Sequence, residues 1–85
     1  MPYITIKERL KYESAIRRII SSLPHDQRVD GHINYIFTRI LKEVYTPGYF
    51  NYNRAIGVLE CCKLELYRHV VGPYEEAKLK ERGDV

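Results

Sequence analysis

The sequence lacks the disulfides and metal motifs that usually stabilise a small protein, and it lacks recognisable catalytic motifs. Its only cysteines, Cys61 and Cys62, are adjacent. Neighbouring side chains on a helix diverge by about 100°, so this pair predicts neither a disulfide nor a metal knuckle. There is no glycine-rich phosphate loop and no nucleophile beside an identifiable base, so we expect no catalysis and no cofactor. No apolar run approaches the roughly 20 residues that cross a bilayer. These absences favour a reduced, cytoplasmic protein with no membrane partner.

Metal ligands in a usual pattern are also missing. The only grouped candidates are His25, Asp26, Asp30 and His32, and their spacing matches no standard ligand set. Asp30 is already explained as a helix cap. We therefore expect no metal site.

The chain is short for an independent core. A domain of 85 residues buries only somewhat over about 60% of its unfolded surface, so its core is marginal unless something supplements it. Disulfides are excluded as that supplement. Sharing a core with other copies of the chain is the alternative that remains.

What the chain does have is a mild positive charge, unevenly placed. The net charge of the chain is +3. Residues 1–24 carry five basic side chains and two acidic ones, so their net charge alone equals that of the whole chain. A basic first helix is compatible with an anionic partner. It falls short of the dense basic stripe of a dedicated duplex binder.

Hydrophobic periodicity predicts a single all-α domain, residues 1–85, built as a small bundle of three main helices and a C-terminal helical segment. Thr5 and Glu8 form a capping box that opens the first helix, and Pro24 ends it. Asp30 is the predicted N-cap of the second helix and Asn51 that of the third. The predicted helical ranges are about 5–23, 31–45, 52–71 and 73–82.

The end of the third predicted helix is marked by Gly72 and Pro73. Pro73 removes a backbone donor and collides with the carbonyl four residues back, so it predicts a break or kink there. The same proline suits the first turn of a further helix. Gly83 is the predicted C-cap of that last segment.

The third predicted helix has two neighbouring apolar rows. One row is Tyr52, Ile56, Leu59, Cys62, Leu66 and Val70, and the other is Gly57, Leu64, Tyr67 and Val71. One row can be covered by the other helices, whereas the second needs another subunit. The pattern therefore predicts a homo-oligomer with Leu64, Tyr67 and Val71 in its interface.

Four charged side chains interrupt these apolar rows: Glu60, Lys63, Glu65 and Arg68. Glu60 can reach Lys63, and Glu65 can reach Arg68 and His69, so one interpretation is weak intrahelical pairs at the rim of a packed face. The alternative is that Glu60 and Lys63 are partly buried where subunits meet and line a binding cleft. The sequence leaves both open.

Tyrosine is abundant, with eight residues and no tryptophan. Tyrosine fills a small core when its hydroxyl finds a partner, but an exposed ring beside arginine or lysine also suits a nucleobase and its phosphate. The candidate ligand-binding residues are Arg39, Arg54, Glu60, Lys63, Tyr67, Arg68 and Tyr74.

Three stretches carry a family resemblance: "MPYI" at 1–4, "DGHINYIFTRIL" at 30–41 and "NRAIGVLECCKLELYRHVVGPYEEAKLKERGDV" at 53–85. They resemble an uncharacterised family of short proteins from tailed bacteriophages and bacterial genomes. His69 and Arg82 depart from the Arg and Asn that the family has there. The resemblance implies a phage or prophage context and a helical fold, and it supplies no activity.

Together these observations predict a non-enzymatic homo-oligomer that sequesters a small anionic ligand of nucleotide type in its inter-subunit clefts. In a phage context, that ligand would be a nucleotide signal made by host defence. A nucleic-acid-associated accessory protein that uses the basic first helix is the alternative. A protein–protein adaptor acting on a host complex is a third hypothesis.

Overall fold

A computed structural model describes residues 4–83 of the chain, and every regular element in that range is helical. The prediction of an all-α protein is confirmed. The chain divides into two compact units, residues 1–40 and residues 41–85. The elements are α1 (Ile6–Ser22), α2 (Val29–Val44), α3 (Tyr49–Leu66), a π-helical turn (Tyr67–Val71) and α4 (Gly72–Arg82).

The start of α1 is fixed by the predicted capping box. Thr5 Oγ1 accepts from the backbone N–H of Glu8 at 3.2 Å, and Glu8 Oε1 accepts from the backbone N–H of Thr5 at 3.2 Å. These two bonds satisfy donors that a helix N-terminus otherwise leaves unpaired. At the other end, the N–H of Leu23 donates to the carbonyl of Ile20, and the helix stops before Pro24.

The turn before α2 is organised by Asp26. Its Oδ1 accepts from the backbone N–H of Arg28 at 2.9 Å, and its Oδ2 accepts from Nη2 of the same arginine at 2.9 Å. The side-chain bonds from Arg28 lower the pKa of Asp26 most, and the backbone bond from Arg28 lowers it further. Asp30 lies inside the first turn of α2, where a carboxylate complements the helix dipole. The prediction that Asp30 is the N-cap is therefore wrong.

The start of α3 depends on Gly48, which is its N-cap and makes no side-chain cap bond. Gly48 has φ 145° and ψ 150°, a region that only glycine occupies readily. The helix consequently begins at Tyr49, three residues before the predicted position. The prediction of Asn51 as the cap is wrong, because Asn51 lies within the first turn of the helix.

From Tyr49 to Arg82 the chain stays helical for 34 residues, with no break at Gly72 and Pro73. The π turn explains why. Pro73 has no N–H and would crowd the carbonyl four residues back in a regular α-helix. Here the N–H of Gly72 donates instead to the carbonyl of Tyr67, five residues back. The wider turn accommodates the proline without ending the helix.

The far end of α4 agrees with its prediction. Gly83 is the C-cap with φ 87°, and its N–H donates to the carbonyl of Leu79 at 2.8 Å. A glycine in this left-handed region is a common helix stop. Glu75 lies in the first turn of α4, whereas Lys80 and Arg82 lie in the last, so the charges complement the helix dipole.

No side chain within residues 4–83 is buried. Large apolar side chains stay exposed on every helix: Ile6 is 70% exposed in α1, Val44 67% in α2 and Ile56 65% in α3. Fully burying one such side chain contributes about 1.5–3 kcal/mol to stability, so this surface is a large unused source of stabilisation. None of the helices within residues 4–83 is long and apolar enough to span a bilayer.

Candidate functional site

The N-terminal end of α3 carries an arginine above two aromatic rings. The guanidinium carbon of Arg54 lies 5.2 Å from the ring centroid of Tyr45 and 6.0 Å from that of Phe50. Arg54 donates from Nη1 to Oδ1 of Asn51 at 3.3 Å, and Asn51 donates from Nδ2 to Oγ1 of Thr46 at 2.8 Å. We call these five residues the arginine–aromatic cluster. Asn51 links the preceding loop to Arg54 and so orients the guanidinium.

This cluster has the chemistry for an anion that bears a ring. A guanidinium carries five N–H donors, and Arg54 uses one of them on Asn51. Charge-assisted bonds from the remaining donors suit a phosphate. The rings of Tyr49 and Phe50 are 82% and 74% exposed, which leaves faces on which a base can stack. The first turn of α3 holds no acidic residue, so nothing there offsets the positive end of the helix dipole.

The sequence pattern predicts Arg54 as a ligand-binding residue but does not predict its neighbours Thr46, Phe50 and Asn51. Helical spacing offered a signal, because Phe50 and Asn51 precede Arg54 by four and three residues and such pairs meet on a helix surface. The signal was hidden because Asn51 was assigned to the cap, outside the helix.

A second surface lies along the C-terminal half of the long helix. It is an open depression around the π turn, which we call the π-turn groove. Its lining residues are Leu64, Tyr67, Arg68, Gly72, Pro73, Glu75, Glu76, Ala77, Leu79 and Lys80. Of the residues predicted for the oligomer interface, Leu64 and Tyr67 line this groove, whereas Val71 lies half-buried in the π turn itself.

One hydrogen bond spans the π turn within this groove. The hydroxyl of Tyr67 donates to Oε1 of Glu75 at 2.5 Å. This bond, together with the negative charge of Glu75, raises the pKa of Tyr67 above its usual value because both favour the protonated phenol. The pair joins the end of α3 to the first turn of α4, so it holds the two helical segments in register across the turn.

The predicted intrahelical ion pairs are present. Glu60 Oε1 lies 3.0 Å from Lys63 Nζ, and both side chains are more than half exposed. Glu65 contacts Arg68 Nη1 at 3.4 Å and His69 Nε2 at 3.0 Å, and its own side chain is 20% exposed. In a single copy, Glu60 and Lys63 therefore form a solvent-exposed pair of the kind that contributes little to stability.

The predicted ligand-binding residues of the second unit, residues 41–85, do not form one site within a single copy. Arg54 and Tyr74 are 20 residues apart on the long helix, which is about 30 Å along its axis. Lys63 and Arg68 are five residues apart, about 140° around the helix at an α-helical period, and only Arg68 lines the π-turn groove.

Two further predicted residues have local partners. Arg39 donates from Nη1 to the hydroxyl of Tyr35 at 2.8 Å on α2, and Tyr74 has Lys78 Nζ 5.6 Å from its ring centroid. Both contacts join residues four apart on one helix, as expected for surface pairs.

Among the described residues, no group of three or more His, Cys, Asp or Glu side chains is placed to hold a metal ion. Both cysteines are free thiols, Cys61 half-buried and Cys62 exposed.

Fold and surfaces together define a small all-α protein whose helices present apolar faces, an arginine–aromatic cluster and a π-turn groove. The chain belongs to the family described as "Domain of unknown function (DUF6899)", whose model matches residues 1–85. No curated protein and no solved structure matches the chain. Membership agrees with the resemblance to an uncharacterised family.

Proposed function

We propose that the protein is a non-enzymatic, homo-oligomeric binding protein that sequesters a small anionic ligand of nucleotide type. The observation that carries this proposal is the lack of any buried side chain in the described part of the chain. A chain of 85 residues with exposed apolar residues on every helix needs association to supply its core. Other copies of the chain are the partner that is always present.

The ligand class is supported by the arginine–aromatic cluster. Arg54 offers charge-assisted bonds to a phosphate, and the exposed ring of Phe50 offers a stacking face to a base. An isolated exposed ring and guanidinium bind such a ligand weakly, because water competes for every contact. In the proposed oligomer a neighbouring copy closes a cleft over the cluster and excludes that water.

The resemblance to phage proteins extends the proposal to a biological setting. Within it, the protein is phage-encoded and captures a nucleotide signal produced by host defence. Capture requires binding and no chemistry, and the cation and aromatic rings of the cluster are groups that bind a phosphate and a base.

Thermal denaturation with a panel of mononucleotides and linear and cyclic dinucleotides tests the ligand class. We expect at least one nucleotide to raise the melting temperature of the unmodified protein, since a ligand that binds only the folded state stabilises it. Arg54→Ala should weaken that binding by about 10- to 150-fold in calorimetry, because a hydrogen bond to a charged group contributes about 1.5–3 kcal/mol.

Lys42→Ala is the matched control, because Lys42 is an exposed cation in the last turn of α2, outside the cluster. It should leave nucleotide binding unchanged. A panel in which no nucleotide stabilises the protein would remove the sequestration proposal. Native mass spectrometry of the purified protein tests the oligomer at the same time and detects any ligand that was retained.

A second candidate function rests on one face of α1. Lys7, Lys11 and Arg18 lie within about 40° of one another around that helix, and all three are exposed. Such a strip suits the phosphates of a nucleic acid. If it binds DNA or RNA, the affinity must fall steeply with salt. Anisotropy measurements at two salt concentrations, with the three residues changed to Ala, decide this alternative.

A further inference from the structure

The π-turn groove is self-complementary about Gly72. When two antiparallel helices are related by a two-fold axis, a residue a given number of positions before the axis faces the partner residue the same number after it. Four positions before Gly72 is Arg68, four positions after it is Glu76, and both line the groove. Placing the axis at Gly72 therefore brings opposite charges together twice.

One further pair of lining residues is related by the same axis. Leu64 and Lys80 lie eight positions either side of Gly72, and the methylene stem of a lysine covers an apolar neighbour while its ammonium stays in water. Both line the groove. At the centre, the ring of Tyr67 in the same copy lies 4.0 Å from the position that a Cβ would take on Gly72.

These side chains are available for such contacts. Leu64 is 49% exposed and Tyr67 52% exposed, which is ample surface to cover. Arg68 contacts Glu65 at 3.4 Å and keeps a side chain 67% exposed. Glu76 forms no ion pair with any residue in the described part of the chain. The carboxylate of Glu76 and the exposed guanidinium of Arg68 can therefore both pair with a second copy in the groove.

We infer that two copies of the chain pair antiparallel through the π-turn groove, across a two-fold axis at Gly72, with Arg68 of each copy against Glu76 of the other. The inference rests on the proposed homo-oligomer and identifies one surface through which its copies meet, apart from the contact that closes over the arginine–aromatic cluster. A second copy is the occupant because one symmetry operation sets opposite charges against each other twice and places the stem of Lys80 against Leu64. An unrelated partner would have no reason to match this arrangement.

Charge reversal with rescue tests the pairing. Arg68→Glu would place a glutamate against Glu76 of the other copy at both contacts across the axis. Glu76→Arg would likewise place an arginine against Arg68 at both contacts. Because like charges facing each other cost several kcal/mol, each variant should raise the dissociation constant by roughly 100-fold or more. Sedimentation velocity at micromolar concentration should then show a species of lower mass than the unmodified protein.

The rescue separates a lost contact from a damaged fold. A mixture of the two variants should form heterodimers in which both contacts pair Glu with Arg, and the double variant Arg68→Glu/Glu76→Arg should recover the mass of the unmodified protein. Lys42→Glu is the control, since Lys42 lies in α2 and is not part of the groove, and it should leave the mass unchanged. Circular dichroism of each variant reports whether helix is lost.

Failure of this inference is distinguishable from failure of the proposed function. If the unmodified protein is an oligomer and the single reversals keep its mass, the copies meet elsewhere and the inference is overturned, whereas the proposed function stands. If the reversals dissociate or unfold the protein and neither the mixture nor the double variant restores it, the inference is also overturned. A monomeric unmodified protein overturns both.

Discussion

Among single residues, Tyr67 shows how the chain uses a polar group on a largely apolar helix. Its ring lies in the π-turn groove while its hydroxyl donates to Glu75. Tyr67 was a predicted ligand-binding and interface residue, but its partner was not predicted. The eight-residue separation is outside the three- and four-residue pairs that an α-helix brings together. It becomes a contact because the π turn intervenes.

The bond between Tyr67 and Glu75 makes a testable prediction about pH. Because the bond raises the pKa of Tyr67, its stabilising contribution is fully present below the ordinary tyrosine pKa of about 10. That contribution is lost as the pH rises through the higher folded-state pKa. The absorbance titration of the unmodified protein minus that of Tyr67→Phe isolates this phenol. Its transition should come at a higher pH than that of a free tyrosine.

Glu75→Gln supplies the control for that titration. It removes the negative charge but keeps an acceptor oxygen, so the pKa of Tyr67 should move back toward its ordinary value. Glu13→Gln should leave the titration in place, since Glu13 pairs with Arg17 on α1 and makes no bond to Tyr67. An unchanged Tyr67 transition in the Glu75→Gln variant would show that the bond does not persist in solution.

At the scale of elements, the helices could be predicted where a side chain marks their ends. α1 is observed within one residue of its predicted bounds, because Thr5 and Glu8 form a capping box at its start and Pro24 prevents the helix from continuing at its end. The start of α3 was predicted late because it depends on the backbone conformation of Gly48, which leaves no side-chain signature. The π turn was missed because its five-residue hydrogen bond has no apolar period of its own.

At the start of α3, the backbone conformation of Gly48 makes a testable prediction about stability. With φ 145°, any residue with a Cβ is strained there, so Gly48→Ala should lower the free energy of unfolding by about 1–3 kcal/mol. Gly31→Ala is the matched control. Gly31 lies in α2 and an added Cβ would meet nothing within 4 Å, so alanine should stabilise the helix by up to about 1 kcal/mol.

Chemical denaturation followed by circular dichroism, at one protein concentration, measures both glycine variants. The prediction is specific in sign, since the same substitution should destabilise the protein at one glycine and stabilise it at the other. Equal stability of the Gly48→Ala variant and the unmodified protein would mean that α3 begins with a different backbone conformation.

At the scale of the whole molecule, the length of the chain predicts a marginal core. The structure agrees in that it buries no side chain between residues 4 and 83. How many copies associate could not be predicted, because apolar rows mark a face to be covered without specifying the geometry of what covers it. The site was only partly predictable for the same reason: periodicity places Arg54 and Arg68 on helix faces, and not beside their partners.

If copies of the chain supply one another's core, folding and association are one equilibrium, and the melting temperature must depend on protein concentration. For a dimer, each tenfold dilution lowers the stability of the assembled state by about 1.4 kcal/mol. The cooperative unit is then the dimer, with twice 85 residues, and a unit of that size shifts its melting temperature by roughly 2–4 °C for each kcal/mol. A hundredfold dilution should therefore lower it by roughly 5–10 °C. Melts followed by circular dichroism in cells of different path length cover that range.

The single reversal Arg68→Glu should melt lower than the unmodified protein at every concentration, and the charge-swapped double variant should recover the unmodified curve. A melting temperature that stays constant over the whole dilution series would mean that one copy folds alone, and the exposed helix faces would then have no part in stability.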